Sequence, residues 1–592
     1  MADYRPPLDD IRFVLKYQLE TERLWRSMPA LDDVDMETAD AILEEAGKLV
    51  KGAIAPLNRE ADELGCQFDN GEVVSPEGFK KAYQLFCDGG WGALSGNPEY
   101  GGMGMPKSLV AAVEEMVQGS CMAFGLAPML TSGACLALDA HATDELKATY
   151  LEYLYSGEWS GAMDLTEPHA GTDLGLIRTR AELASDGSYR VTGTKIFITW
   201  GEHDLAANIV HLVLAKLPDA PAGSRGISLF LVPKFLPDSN GSVGERNAVH
   251  CGSLEKKMGI KASPTCVMNF DGATGWLVGE PNNGLAAMFT MMNYERLAVG
   301  IQGVGVAEVS YQNAVEYARD RLQSRSPCGV KQPESPADPI LVHPDVRRML
   351  MTMRSLNEGG RAFYLYVAQW LDKAKFSEDS TAKVLAGKMV ALLTPIAKAF
   401  LTDRAFDAAV LGQQVFGGHG YIREWGQEQH VRDIRITQIY EGTNGIQAMD
   451  LIGRKTLATK GELLDLFLDE VTRFMDSLEA DDRLQDMITA LTAAMNTARR
   501  STANIILQAG RDPNAIGAAA VDYLNLLGYL CFGYMWLRAA AAAQNAENKS
   551  FAEAKQQTAR FFFQRLLPEV ELLAVRIEVG ADSLMALPDD SF

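Results

Sequence analysis

Between residues 156 and 285 the sequence changes character, and that change constrains the fold more than any other feature. Short runs such as "YRVTGTKIFIT", "NIVHLVLAKL", "GISLFLVPKFL" and "CVMNFDGATGWLVG" are rich in β-branched and aromatic residues and are divided by turn residues. On either side the apolar residues recur at helical spacing, as in "METADAILEEAGKLV" before the block and "HPDVRRMLMTMRSLNEGGRAFYLYVAQWLDKA" after it. A chain of 592 residues exceeds the roughly 100 to 200 residues that one core usually organises. The pattern predicts a mainly α protein with a small β domain in the middle. Its parts are a helical N-terminal domain over 1–155, the β domain over 156–285, a helical bundle over 286–455 and an extra helical domain over 456–592.

A formal charge of -22 repels phosphate polymers and acidic membranes, so no nucleic-acid partner is expected. Any anionic ligand then needs a local arginine or a helix terminus. The eight cysteines show no C-x-x-C pair, which favours free thiols in a reducing compartment. "MADYRPPLDD" has no secretory or transit character. The longest apolar run, "LLGYLCFGYMWL", falls short of the ~20 residues of a membrane span. A cytoplasmic protein is the expectation.

Four segments could carry chemistry. "AMDLTEPHAGTD" (162–173) sets Thr166, Gly171 and Thr172 around a turn beside strand material, where a backbone can approach a ligand closely. In "GTKIFITWGEHD" (193–204), period-2 alternation brings Phe197 and Thr199 out on one face, with Trp200 at the end; ordinary core packing explains that equally well. "QQVFGGHGYIREW" (413–425) ends an apolar helix at Gly417 and Gly418. "IYEGTNGIQAMDLIGRK" (439–455) places Glu441 just before a cap at Thr443 or Asn444, from which Ile446, Met449 and Ile452 form an apolar stripe. A carboxylate pressed against Ile439 and Tyr440 would lose hydration and become a stronger base; an exposed charge near a helix start is the plainer alternative. No histidine pairing suggests a metal site, and no G-x-S-x-G elbow is present.

In this order and spacing, "LTEPHAGTD", "GTKIFIT" and "IYEGT" resemble the signatures of the acyl-CoA dehydrogenase family, and the resemblance runs over nearly all of residues 40–455. It implies FAD as cofactor. Met163, Leu165, Thr166, Gly171 and Thr172 would border the flavin and its phosphates, Phe197 and Thr199 would lie against the ring, and Thr172 would also touch the acyl-CoA substrate. Arg321, Gln323, Gln414, Gly417 and Gly418 would reach the pyrophosphate and adenosine from a neighbouring subunit. Thr443 and Asn444 would complete the flavin site, with Asn293, Arg296 and Tyr440 near the thioester. Glu441 would be the catalytic base, taking the α-proton while a hydride leaves the β-carbon for the flavin, to give a trans-2-enoyl-CoA. The base's own N–H and a ribityl hydroxyl would hold the thioester carbonyl.

Several positions depart from the family's common pattern: Phe197 for tryptophan, Met163 for an aromatic, Trp200 for asparagine and Gly445 for glutamine. "QAMDLIGRK" carries one extra residue, so no role passes to Arg454. The start "YRPPLDDIRFVL" and the long C-terminal extension resemble a large bacterial subgroup that includes fatty acyl-CoA and 3-methylthiopropionyl-CoA dehydrogenases. That likeness implies a homodimer, with electron-transferring flavoprotein as electron acceptor and fatty acid β-oxidation as the setting. An acyl-CoA oxidase and a catalytically idle scaffold of the same fold are the competing readings.

Overall fold

Two strands appear where helix was expected. The computed structural model describes residues 4–238, 241–478 and 481–592, and within the N-terminal helical stretch β1 (Gln67–Asp69) and β2 (Glu72–Val74) form an antiparallel hairpin. Its turn is Asn70-Gly71, at φ 49° and 88°, the left-handed pairing whose twist matches that of the flanking strands. Three-residue strands are too short to imprint a period on the sequence.

The chain forms two compact units, one of residues 46–106 and 116–298, the other of 1–45, 107–115 and 299–592. In the first, the β-type runs become β3 (Trp159–Asp164), β4 (Arg180–Leu183), β5 (Tyr189–Thr199), β6 (Asn208–Lys216), β7 (Ile227–Pro233), β8 (Phe235–Pro237), β9 (Val243–Arg246), β10 (Val249–Leu254) and β11 (Thr265–Val278). Pairing runs β11-β5-β4-β6-β7 and returns from β7 to β11, so the sheet closes on itself. Closure removes open edges there. Parallel pairing adds β3 outside β6, and β10 lies against β11.

One face of this sheet encloses Val191, Ile198, Val213, Phe230, Met268 and Phe270. The other carries Val210, Leu212, Leu214 and Leu229, which share a core with Leu130, Ala134 and Leu138 of the Met122–His141 helix. Strand β6 is therefore covered on both sides, which accounts for its nearly continuous apolar run, broken at His211. A Cβ at Gly161 would stand 2.6 Å from Ala134 Cβ; only glycine lets β3 lie this close to the helix.

The second unit packs the helices Pro344–Phe376 and Ser380–Val415 against each other and against Asn514–Ala542 from the C-terminal extension. Asn514–Ala542 is apolar over most of its surface because Gln485–Ala509, Lys549–Arg565 and Glu569–Val579 cover it as well. A Cβ at Gly528 would meet the Phe400 ring at 2.2 Å. The N-terminal residues join the same assembly: Gln18 donates to Met535 O at 2.8 Å, and Arg538 Nη2 donates to Gln18 O at 2.9 Å. Beneath them lies a buried ionic cluster. Arg361 contacts Asp10 at 2.5 Å, Glu115 at 2.5 Å and Glu308 at 3.1 Å, and Lys555 pairs with Asp10 and with Glu358 at 2.7 Å.

Among the described residues, three helices are long and apolar enough by length and composition to cross a membrane: Met122–His141, Ser380–Val415 and Asn514–Asn545. The longest apolar run, "LLGYLCFGYMWL", lies inside the third of these helices and understated their length, because each helix interrupts its apolar residues with polar ones. Between 67% and 78% of their most apolar windows is buried inside the fold, as interior helices of a large bundle require.

Candidate active site

In the β unit, the turn after β3 is tied to β5. Ile196 N–H donates to Thr166 O at 2.9 Å, and Glu167 and Ala170 exchange backbone hydrogen bonds that close the turn. Met163, Leu165 and Thr166 are half-buried, whereas Gly171 and Thr172 are exposed. Nothing lies within 4 Å of where a Cβ on Gly171 would be.

Phe197 sits at φ +61° and Trp200 at +52°. On β11, Cys266 faces Ile198 and Met268 faces Lys195, so Ile196 and Phe197 together oppose one residue, a bulge. The bulge shifts the alternation: Lys195, Ile198 and Trp200 point inward, while Phe197 stays 58% exposed with Thr199 on its side of the strand. A bulky residue held left-handed and uncovered is strain of the kind found at ligand sites. Trp200 belongs to the core, with its ring N–H on Ala123 O at 3.2 Å. Asn293 and Arg296 lie one helical turn apart, Arg296 Nη1 donating to Asn293 Oδ1 at 3.3 Å.

In the bundle unit, Gly417 at φ +58° stops the Ser380–Val415 helix and a 3-10 turn follows over Gly417–Tyr421. Neither Gly417 nor Gly418 has an atom within 4 Å of its Cβ position, and Gln414, Arg321 and Gln323 are exposed. Beside them is a cavity of about 320 Å³ lined by Asn313, Glu316, Tyr317, Asp320, Arg321, Phe416, His419 and Trp425. Tyr317 stacks on Phe416 at 4.1 Å and His419 on Trp425 at 4.3 Å. Aromatic walls below an arginine suit a flat ring joined to an anionic group.

Glu441 occupies a tight turn at φ +56°, followed by Gly442 at +79°. Four neighbours hold that turn. Thr443 caps the Asn444–Asp450 helix, accepting from Ile446 N at 3.3 Å. Gln447 Nε2 donates to Glu441 O at 3.1 Å. The buried Lys398 donates to Gly442 O at 2.9 Å and Asn444 Oδ1 at 2.8 Å, and Asn444 Nδ2 reaches Asp403, Thr402 and Ala399. Thr443, rather than Asn444, is thus the cap, and the Asn444 amide is committed to the Ser380–Val415 helix. Tyr440 donates to Gln302 Oε1 at 2.5 Å. Ile439 is 46% exposed, and of the expected stripe only Ile452 is buried, with Ile446 and Met449 exposed. The apolar surface near Glu441 is therefore open, not packed away.

Leu451–Leu457, which overlaps "QAMDLIGRK", is a π-helix. Sequence reasoning missed Lys195, Glu167, Lys398, Gln447 and the aromatic cavity residues. Plain alternation puts Lys195 on the face of Phe197 and Thr199, and only the bulge turns it inward. For Lys398 and Gln447, which meet Glu441 only through the fold, no local sign exists.

Models of the acyl-CoA dehydrogenase N-terminal, middle and C-terminal domains match residues 36–158, 162–273 and 282–457, and an acetyl-CoA dehydrogenase C-terminal-like model matches 467–588. The chain belongs to the acyl-CoA dehydrogenase family. Among its relatives, 3-methylmercaptopropionyl-CoA dehydrogenase of Ruegeria pomeroyi is 45% identical over 98% of this chain and 99% of that protein. The broad-specificity linear acyl-CoA dehydrogenase FadE5 of Mycobacterium tuberculosis is 35% identical over 95% of each. An acyl-CoA dehydrogenase of Bacillus anthracis complexed with FAD shares the fold, with a TM-score of 0.75 and 22% identity, over 96% of this chain and 91% of that one.

Proposed function

We propose that this enzyme is an FAD-dependent α,β-dehydrogenase of saturated acyl-CoA thioesters and that 3-methylmercaptopropionyl-CoA is its substrate. The observation that carries the reaction is Glu441, fixed at a left-handed φ by Lys398, Gln447 and the Thr443 cap on a turn bordered by exposed apolar residues. The substrate rests on the relative of Ruegeria pomeroyi, similar from end to end.

The residues fit the cofactor. Phe197 offers an uncovered ring beside Thr199, and Thr166, Gly171 and Thr172 leave an open, hydroxyl-bearing loop. The aromatic cavity beside Arg321, with Gln323, Gln414 and the bare Gly417 and Gly418, suits the ADP end of FAD from a second copy, so the working form is a homodimer. FAD, when bound, supplies the acceptor for the β-hydride. Glu441 removes the α-proton, and the thioester displaces water around its carboxylate, which makes it a stronger base. Strain at φ +56° keeps the carboxylate aimed without reorganisation during the reaction. Asn293, Arg296 and Tyr440 lie toward the thioester in this reading. Electron-transferring flavoprotein, in the cytoplasm, accepts the electrons.

A second substrate reading, a linear fatty acyl-CoA handled in β-oxidation, draws on the Mycobacterium tuberculosis relative. Anaerobic titration of the purified flavoprotein with 3-methylmercaptopropionyl-CoA, butyryl-CoA and longer saturated thioesters separates the two. Bleaching of the flavin band at lowest concentration by the methylmercapto thioester, absent in Glu441→Gln, is the expected result. Strongest bleaching by a longer chain would move the substrate to the second reading, and a spectrum indifferent to every thioester would remove the function.

A further inference from the structure

Inside the β unit, a fully buried ion pair has no part in the reaction described above. Lys195 Nζ stands 2.9 Å from Glu167 Oε1, with the two side chains 0% and 3% exposed. The lysine also donates to Leu165 O at 3.0 Å. Glu167 accepts three more hydrogen bonds, from Arg178 N at 2.7 Å, Thr179 N at 3.0 Å and Thr179 Oγ1 at 2.6 Å. The approach is tight: a Cβ on Gly193 of β5 would fall 2.3 Å from that same Thr179 hydroxyl.

Stability alone does not explain such a pair. Removing two charges from water costs several kcal/mol each, and a well-packed apolar pair of the same volume serves a core at least as well. What the ions supply is directionality. Lys195 grips Leu165 through its carbonyl and Glu167 through its carboxylate, on either side of Thr166, while Ile196 N–H holds the Thr166 carbonyl between them. Two residues beyond Lys195 stands the left-handed, exposed Phe197, and Thr199 follows. One side chain thereby fixes the 165–167 turn against the bulged end of β5. Burial alone would raise the Glu167 carboxyl, yet the ammonium and the Thr179 and Arg178 donors hold it below the ordinary range. Burial likewise pulls the Lys195 ammonium down from its ordinary value, against the opposing pull of the Glu167 carboxylate. Asp164, paired with His211 at 3.1 Å, adds a second buried carboxylate next in sequence to Leu165.

We propose that Lys195 and Glu167 are positioning residues that set the gap between the Thr166 turn and the Phe197–Thr199 stretch, and through it the affinity for FAD. The inference rests on the reading that the flavin lies against these two segments. The ions touch neither cofactor nor substrate; they act through the backbone they hold.

The test is FAD titration of apoprotein prepared from wild type, Lys195→Met, Glu167→Gln, the double variant and Thr179→Val, with folding followed by circular dichroism and cooperative unfolding. Each single charge variant should bind FAD about ten- to hundredfold more weakly, since it removes hydrogen bonds to a charged group and leaves the other ion alone. The double variant, with no orphaned ion, should bind more weakly than wild type but no more weakly than the worse single one. Thr179→Val should show a smaller loss, and KM for the thioester at saturating FAD should stay unchanged. Folded single variants with FAD affinity within twofold of wild type overturn the proposal, as do losses that multiply in the double variant. If the single variants do not fold, wild-type affinity in the double and Thr179→Val proteins overturns it just as well. Wild-type protein that takes up no FAD sinks the functional reading and this one together, whereas FAD-binding wild type with indifferent variants sinks only the role of the pair.

Discussion

Replacing Lys555 with methionine asks whether charge, rather than apolar contact alone, locks the C-terminal helices to the bundle. Lys555 is 1% exposed. Methionine occupies nearly the same path, so the packing term stays below about 1.5 kcal/mol. The electrostatic term is larger. Arg354, Arg361 and Lys555 face Asp10, Glu115, Glu308 and Glu358, three cations against four carboxylates; the variant leaves two against four. Breaking a buried pair costs about 3–5 kcal/mol. The lower end applies, because Asp10 keeps Arg361 at 2.5 Å and Glu358 keeps Arg354 at 2.7 Å. About 3 kcal/mol is roughly a hundredfold in local opening. Hydrogen exchange followed by mass spectrometry should therefore show about hundredfold faster exchange in the peptides of Leu8–Phe13 and Lys549–Arg565 at neutral pH, with strand β5 unaffected.

A pH series sharpens the same test. Burial alone would raise the Asp10 carboxyl, but Lys555 and Arg361 hold it below its ordinary 3.8. Its contribution is present above 3.8 and lost as pH falls below it. Without Lys555 the carboxyl protonates at higher pH and no longer needs a partner, so the gap between wild type and variant should narrow as pH falls toward 4. An exchange change under tenfold at neutral pH, or a gap that widens on acidification, would refute the reasoning.

Burial pushes the Asp372 carboxyl up to about 6, against the pull of donors from Ser108 and Lys107. Its stabilisation is complete below 3.8 and lost as pH rises through about 6, so Asp372→Asn should flatten the stability profile in that window, read by urea unfolding. Glu441→Gly should abolish flavin bleaching by thioesters while raising the stability of the turn by about 1 kcal/mol, because glycine adopts φ +56° without strain. A lowered unfolding midpoint would contradict the strain argument. Gly528→Ala drives a methyl into the Phe400 ring and should cost about 1–3 kcal/mol, measured by the same unfolding.

The order of helical and β regions was legible because each long element carries its own pattern: β6 is a nearly continuous apolar run and Asn514–Ala542 is apolar over most of its surface. The hairpin at Asn70-Gly71 was not, since its strands are three residues long. At the site, Glu441, Phe197 and the glycines could be picked out from residue type and motif. Their support could not. The side chain of Lys398 reaches Gly442 from 44 residues away and Lys195 reaches Leu165 from 30, and no window on the sequence joins such positions. Phe197 shows the limit most clearly: alternation gave the right face, but the bulge that sets it left-handed lies in the register with β11.

The contact between Gln18 and Met535 also has a meaning in time. Those residues are separated by 517 positions, and a ribosome working at about 5–20 residues per second needs roughly half a minute to two minutes to go from one to the other. Throughout that interval the amino-terminal arm lacks the surface on which it comes to rest, with Asp10 waiting first for Arg361 and then for Lys555. The bundle can be completed only after Lys549–Arg565 has been made. A chain cut short in its last helices would present that arm, still unseated, to the chaperones and proteases that inspect newly made protein.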